Sequence, residues 1–146
     1  MNNSVFVYGT LQFPQVMARL TGRRFGFRSA TLYNYRRYKI FDGRQARRYP
    51  AIAPCPGSRV GGKILTSVDA KTMTLLDFFE DSGYRRESVM VFSRGRAITA
   101  YAYVWKKQTR PKLQGVWNAK KFQRQHLPAY LDMVQAVRRQ WLARQK

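Results

Sequence analysis

The chain carries only seven acidic side chains, and four of them, Asp77, Glu80, Asp81 and Glu87, fall between residues 75 and 91 in L-L-D-F-F-E-D-S-G-Y-R-R-E-S-V-M-V. Leu75, Leu76, Phe78 and Phe79 surround Asp77 and Glu80, so a short helix here buries most of its surface and drives the acids to a rim or a cavity. A carboxylate held against apolar neighbours has a raised pKa, which is what a general base working near neutral pH requires. The plainer alternative is that Glu80 ends a solvated helix. A second stretch has chemical potential of another kind. Ser4 to Tyr8 (S-V-F-V-Y) reads as a strand, Gly9-Thr10 breaks it, and Pro14 opens a short helix. A strand, a glycine turn and a helix start leave backbone N–H groups without internal partners, a natural site for a carboxylate or oxyanion. By itself that signal is weak, because many glycine turns cradle nothing.

Other chemistries have little to work with. The single cysteine, Cys55, excludes an internal disulfide, and the single histidine, His126, excludes a histidine-rich metal site. It also excludes a Ser-His or Cys-His triad unless His126 is the base. No metal is expected.

The elements that must position these residues read as follows. Residues 27–40 are aromatic and basic and form one or two strands, followed by a polar loop over 42–48. An extended run resumes at Tyr49-Pro50-Ala51-Ile52 and ends at P-C-P-G, residues 54–57. Residues 60–68 form another strand, in which Gly61 and Gly62 allow a bulge or close packing. Asp69 is placed to cap the helix that carries Glu80. Residues 87–92 and 98–105 are two further strands around the turn at 93–96. From Trp117 onward, Tyr130, Val134, Val137 and Trp141 form an apolar stripe flanked by Leu127, Leu131 and Leu142, an amphipathic helix broken at Pro128. The expectation is a single domain over 1–146, with 117–145 as a C-terminal helical extension.

The N-terminus lacks a basic segment followed by an apolar run, and no apolar stretch reaches about 18 residues. The sequence therefore predicts a soluble protein of the cytoplasm or an organelle matrix, neither secreted nor in a membrane. Its charge is the outlier: 28 Lys and Arg against 7 Asp and Glu give a net charge of +21 and a pI of about 11.1. Such a field attracts polyanions.

At this point the sequence resembles the gamma-glutamylcyclotransferase-like family, in its gamma-glutamylamine cyclotransferase and plant-type branch. V-F-V-Y-G-T-L, residues 5–11, looks like that family's signature loop. Gly62-Lys63-Ile64 to Val68-Asp69, then Leu76-Asp77-Phe78-Phe79-Glu80, Tyr84-Arg85-Arg86 and Val89-Met90-Val91, are similar to its second block in order and spacing. Tyr49-Pro50 resembles a further family dipeptide, and residues 117–130 are similar to the C-terminal helix of plant-type members.

The resemblance implies an α+β fold: a small curved, barrel-like mixed sheet, here of five to seven strands, with short helices outside and a C-terminal amphipathic helix. It implies a pocket where the Y-G-T-L loop faces the acidic helix, and conversion of a gamma-glutamyl amide to 5-oxoproline and a free amine without a cofactor. Glu80 matches the family's catalytic acid. Gly9, Thr10 and Leu11 would offer N–H groups to the substrate's anionic end, Tyr8 would line the pocket, and Tyr84 and Tyr103 are candidates for its wall.

The charge departs from what this chemistry needs. Basic residues interleaved with aromatics are what a phosphate backbone and unstacked bases would meet. Arg36, Arg37, Arg47, Arg48, Lys106, Lys107, Arg138, Arg139 and Arg144 are the candidates for such a role. Two functions of different class therefore stand side by side. One is an active cyclotransferase with a basic surface. The other is a cyclotransferase-like fold recruited as an RNA-binding structural subunit of a ribonucleoprotein such as a ribosome.

Overall fold

The computed structural model describes residues 3–41 and 46–145. Strand β1 (Asn3–Val7) leads through a 3-10 turn (Thr10–Gln12) into α1 (Pro14–Thr21). Two long strands follow, β2 (Phe27–Phe41) and β3 (Ala46–Val68), then helix α2 (Ala70–Phe79). The hairpin β4 (Tyr84–Ser93) and β5 (Arg96–Trp105) turns on Arg94 and Gly95, whose φ of 52° and 75° are the paired left-handed values of a tight two-residue hairpin turn. After a 3-10 segment (Lys107–Lys112) come the short β6 (Leu113–Gln114), α3 (Ala119–Gln125) and α4 (Leu127–Arg144).

Five strands close on themselves. β1 pairs antiparallel with β3, β3 with β2, β2 with β4 and β4 with β5, and β5 returns parallel to β1 where Val5 faces Tyr101. β6 adds to β2 beside Lys39 and Ile40. Closure removes the exposed edges a flat sheet of these strands would present. The period-two alternation of each strand then sorts its residues between two cores. Phe6, Tyr8, Ala30, Ile64, Val91, Ala100, Ala102 and Val104 share the barrel interior, where three alanines suit the narrow bore of a five-stranded ring. Val5, Val7, Tyr103 and Trp105 face the other way and pack with Leu20, Leu76, Phe122, Tyr130 and Val134 beneath the helices. The C-terminal helices are thus part of the main core.

Three local readings change. The extended run at 49–52 and the strand at 60–68 are one strand, because P-C-P-G does not end it: Tyr33 pairs with Arg59 and Tyr35 with Pro54, so residues 55–58 bulge out while pairing resumes on both sides. Gly57, at φ 84°, makes the bulge, and its N–H donates to Asn34 Oδ1 at 3.1 Å. Arg47 and Arg48, expected in a loop, lie at the start of β3, and residues 42–45 of that loop lie outside the described residues. Finally, the C-terminal helix breaks at His126, not Pro128, because Pro128 sits in the first turn of α4, where no N–H is needed. Asp69 caps α2 as its position suggests, accepting from the Thr72 N–H at 2.8 Å. Among the described residues, no helix is long and apolar enough to cross a membrane, and no three His, Cys, Asp or Glu side chains gather as metal ligands would.

Candidate active site

Helix α2 ends where its apolar face runs out. Glu80 is its C-cap, donating its own N–H to Leu76 O at 3.0 Å, and the chain then turns through Asp81, whose Oδ1 accepts from the Gly83 N–H at 2.8 Å. Gly83 is required at this turn, since a Cβ there would run into the Trp105 ring. The turn delivers Glu80 into a pocket of about 210 Å³. Its other walls come from Tyr8 to Leu11 at the end of β1, Tyr49 and Pro50 on β3, Tyr84 on β4, Tyr103 on β5, and Tyr130 and Met133 on α4. The structure therefore brings together every residue proposed for catalysis or substrate contact: Glu80, Tyr8, Gly9, Thr10, Leu11, Tyr84 and Tyr103.

Five tyrosines line this pocket, and each hydroxyl is spent away from Glu80. Tyr8 donates to Tyr103 O at 2.5 Å, Tyr84 to Pro50 O, Tyr49 to Asp81 Oδ2 at 2.5 Å and Tyr103 to Asp77 Oδ1 at 2.7 Å, while Tyr130 shares a 3.0 Å hydrogen bond with Thr10 Oγ1. Burial holds the phenols of Tyr8, Tyr84, Tyr103 and Tyr130 well above their ordinary pKa, and pushes Tyr49 up to about 12. The wall is neutral at any physiological pH.

Against that wall the Glu80 carboxyl has no hydrogen-bond partner among the described residues. Burial, followed by the nearby charges of Asp81 and Asp77, raises its pKa from 4.5 to about 8. Its neighbours are treated differently. Burial also pulls Asp81 upward, but hydrogen bonds from the Tyr49 hydroxyl and Gly83 N–H, together with the Arg47 cation, outweigh it and leave Asp81 below the ordinary carboxylate range. Asp77 is paired with Arg86 at 2.7 Å. Only Glu80 is left to exchange a proton with a guest.

The loop facing it leaves backbone donors uncommitted. Gln12 and Phe13 donate their N–H groups back to Gly9 O and Thr10 O, closing the 3-10 turn and leaving the Thr10 and Leu11 N–H groups without a partner inside it. The Tyr8 carbonyl is pinned by Arg37 at 2.8 Å and Gln12 at 3.1 Å. Gly9 is held by packing: a Cβ there would lie 2.8 Å from two ring carbons of Pro50.

Two of the basic residues considered for nucleic acid are instead structural supports of this site. Arg37 also donates to Gly61 O at 3.3 Å and lies over the Trp117 ring, and Arg47 pairs with Asp81 and Tyr49. The others do not share one face. Arg36 lies over Tyr38, Arg144 over Phe78, and Arg138 reaches Gly22 at the end of α1, while Arg48, Lys106, Lys107 and Arg139 belong to β3, the segment after β5, and α4. Sequence reasoning did not assign Tyr49, Pro50, Asp81, Tyr130 or Met133 to the pocket. Only the Tyr49-Pro50 pair carried a signal, as a dipeptide without a role; Tyr130 looked like one more apolar position of its helical stripe.

Comparison with known proteins converges on one family. A family model described as gamma-glutamyl cyclotransferase, AIG2-like, matches residues 5–119. AIG2-like protein D of Arabidopsis thaliana is 36% identical over 134 residues, 90% of this chain and 86% of that protein. The solution structure of another Arabidopsis thaliana protein superposes with a TM-score of 0.69 at 29% identity, covering 90% of this chain and 87% of that one. A gamma-glutamyl cyclotransferase superposes with a TM-score of 0.66 at 17% identity, covering 93% of this chain and 88% of its own, a likeness of fold alone.

Proposed function

The chain belongs to the gamma-glutamyl cyclotransferase, AIG2-like family, and on that premise we propose that its pocket converts a gamma-glutamyl amide into 5-oxoproline and a free amine, with Glu80 as the proton carrier. The observation that carries this reading is the single unpartnered carboxyl inside a wall of tyrosines whose own hydroxyls are engaged. One such group is enough, because the substrate brings its own nucleophile. The substrate's α-carboxylate would accept from the Thr10 and Leu11 N–H groups, which fixes the α-amine beside Glu80 and folds the chain so that this nitrogen reaches the γ-carbonyl carbon.

Attack forms the new C–N bond of the lactam ring while Glu80 takes a proton from the nitrogen. Collapse of the tetrahedral intermediate breaks the old C–N bond, and Glu80 returns that proton to the departing amine. No water is consumed, and Glu80 ends as it began. A carboxyl poised near pH 8 suits both halves: it is basic enough to accept the proton and acidic enough to give it back. In the free protein most Glu80 is protonated at pH 7. An incoming α-ammonium lowers its pKa by opposite charge and ionises it, and the reactive complex is the one in which the ammonium has given its extra proton to solvent, leaving a neutral amine beside the carboxylate.

The test is direct. The purified protein, incubated with a panel of gamma-glutamyl amines and dipeptides, is expected to release 5-oxoproline, and Glu80→Gln is expected to lose about 10² to 10⁴ in rate. Release from no member of the panel would refute the reaction; undiminished release by Glu80→Gln would refute the residue.

A further inference from the structure

We propose that the outer face of the barrel along β2 and β3 is a binding groove for single-stranded nucleic acid, separate from the Glu80 pocket. Two open depressions of about 490 and 530 Å³ lie there, both bordered by Gly61. Arg36 and Arg59 line the first and Arg94 the second, and neither contains an acidic side chain. Asp69, Asp77 and Asp81 pair elsewhere, with Arg23, Arg86 and Arg47, and among the described residues no carboxylate pairs with Arg36, Arg59 or Arg94. In a chain of net charge +21, these guanidinium groups have no carboxylate partner among the described residues and border two depressions that share Gly61.

What favours a nucleic acid over an acidic protein is the pair of aromatic rings between the cations. Tyr33 and Phe92 meet edge to face at 5.6 Å, yet remain 47% and 39% exposed. Met90, two residues from Phe92 and therefore on the same face of β4, is 54% exposed. Rings of this size left open on a sheet surface offer faces on which unpaired bases stack, and flanking guanidinium groups meet the phosphates. Gly57 and Gly61 line the first depression without side chains, so a strand can approach the backbone. None of the residues lining these depressions lines the Glu80 pocket, and the proposal does not depend on its chemistry.

The experiment is fluorescence anisotropy of the whole protein with a labelled pyrimidine-rich single-stranded RNA and the matching single-stranded DNA, across a series of salt concentrations. Binding of at least one strand is expected at about 100 mM salt, with log affinity falling linearly against log salt by about 0.7 for each phosphate neutralised. The triple variant Arg36→Gln/Arg59→Gln/Arg94→Gln should flatten that slope by about two units. Tyr33→Ala and Phe92→Ala should weaken binding about 5- to 150-fold with the slope unchanged, as loss of one stacked base requires. Phe92→Tyr should restore it. Tyr33 and Phe92 are partly exposed and outside the pocket, so retention of the wild-type melting temperature separates lost binding from lost fold.

The proposal is overturned by absence of binding to either strand. It is also overturned by aromatic variants that bind as wild type, which would leave a general attraction for polyanions. Equal preference for a duplex of the same length, or a slope that falls only when Arg138, Arg139 and Arg144 are replaced, would overturn it as well.

Discussion

Glu80→Gln should uncouple stability from pH in a direction fixed by the pocket. On folding, the pKa of Glu80 rises from 4.5 to about 8, so the folded state holds this proton more tightly than the unfolded one. Its contribution is complete below pH 4.5 and is lost as the pH climbs through about 8. At 1.36 kcal/mol per pH unit, that window corresponds to ~5 kcal/mol of penalty on the ionised form as an upper limit, and to ~2 kcal/mol if solvent entering the pocket screens half of it. Glutamine cannot ionise. The cost of its half-buried amide is the same at every pH, so the difference in stability between variant and wild type isolates the titration. Melting temperatures of both proteins, measured from pH 5 to pH 9, should diverge in favour of the variant as pH rises. At about 2–4 °C per kcal/mol for a domain near this size, the relative gain is on the order of 5–20 °C. Activity should be lost across the same range. A difference that stays flat from pH 5 to pH 9 would show that the tyrosine wall does not raise the carboxyl's pKa, and the acid-base argument would fall with it.

Three further outcomes follow from the same geometry. Asp81→Asn removes the larger of the two charge effects that raise Glu80, so the rise of kcat/KM with pH should move to lower pH; a pH profile that does not shift would leave burial and Asp77 to account for the raised pKa. Gly9→Ala puts a methyl carbon 2.8 Å from the Pro50 ring, which also bears the carbonyl that anchors Tyr84, so stability and activity should fall together by about 1–3 kcal/mol in unfolding free energy; lost binding with an unchanged melting temperature would contradict this. Tyr84→Phe keeps the ring and leaves the buried Pro50 carbonyl without its donor, costing about 1–3 kcal/mol in chemical denaturation, and a neutral result would mean that the carbonyl finds another donor.

Glu80 was legible in the sequence because its signal is local: two leucines and two phenylalanines around alternating acids, behind an aspartate at a capping position. The glycine turn after β1 was legible for the same reason. The rest of the pocket depends on contacts across the chain. The Tyr130 hydroxyl meets Thr10 across 120 positions, Tyr49 meets Asp81 across 32, and nothing in a helical stripe or an extended run marks those particular tyrosines. The same blindness misplaced two arginines. Arg37 and Arg47 look like solvated cations in sequence, and only the closed barrel places them against the Tyr8 carbonyl and the Asp81 carboxylate. The P-C-P-G segment failed in another way: turn residues mark a departure from the ladder, but they do not reveal whether the strand resumes afterwards in register with the same neighbour.

The charge balance sharpens the meaning of the lone carboxyl. In a chain of 28 cationic and 7 acidic side chains, Asp69, Asp77 and Asp81 each find a cation, Arg23, Arg86 and Arg47, whereas the exposed Asp132 and the partly exposed Glu87 form no ion pair among the described residues. Glu80 follows three residues after Asp77 and immediately precedes Asp81, yet no cation reaches it among the described residues. Five neutral tyrosines line the pocket around it, and the two flanking aspartates hold Arg86 and Arg47 at their own carboxylates. An ion pair at Glu80 would hold it ionised and lower its pKa, removing its ability to return a proton. Keeping the pocket's own acid unpaired therefore requires the walls to hold the chain's lysines and arginines away from it, which is the condition the proposed proton transfer needs.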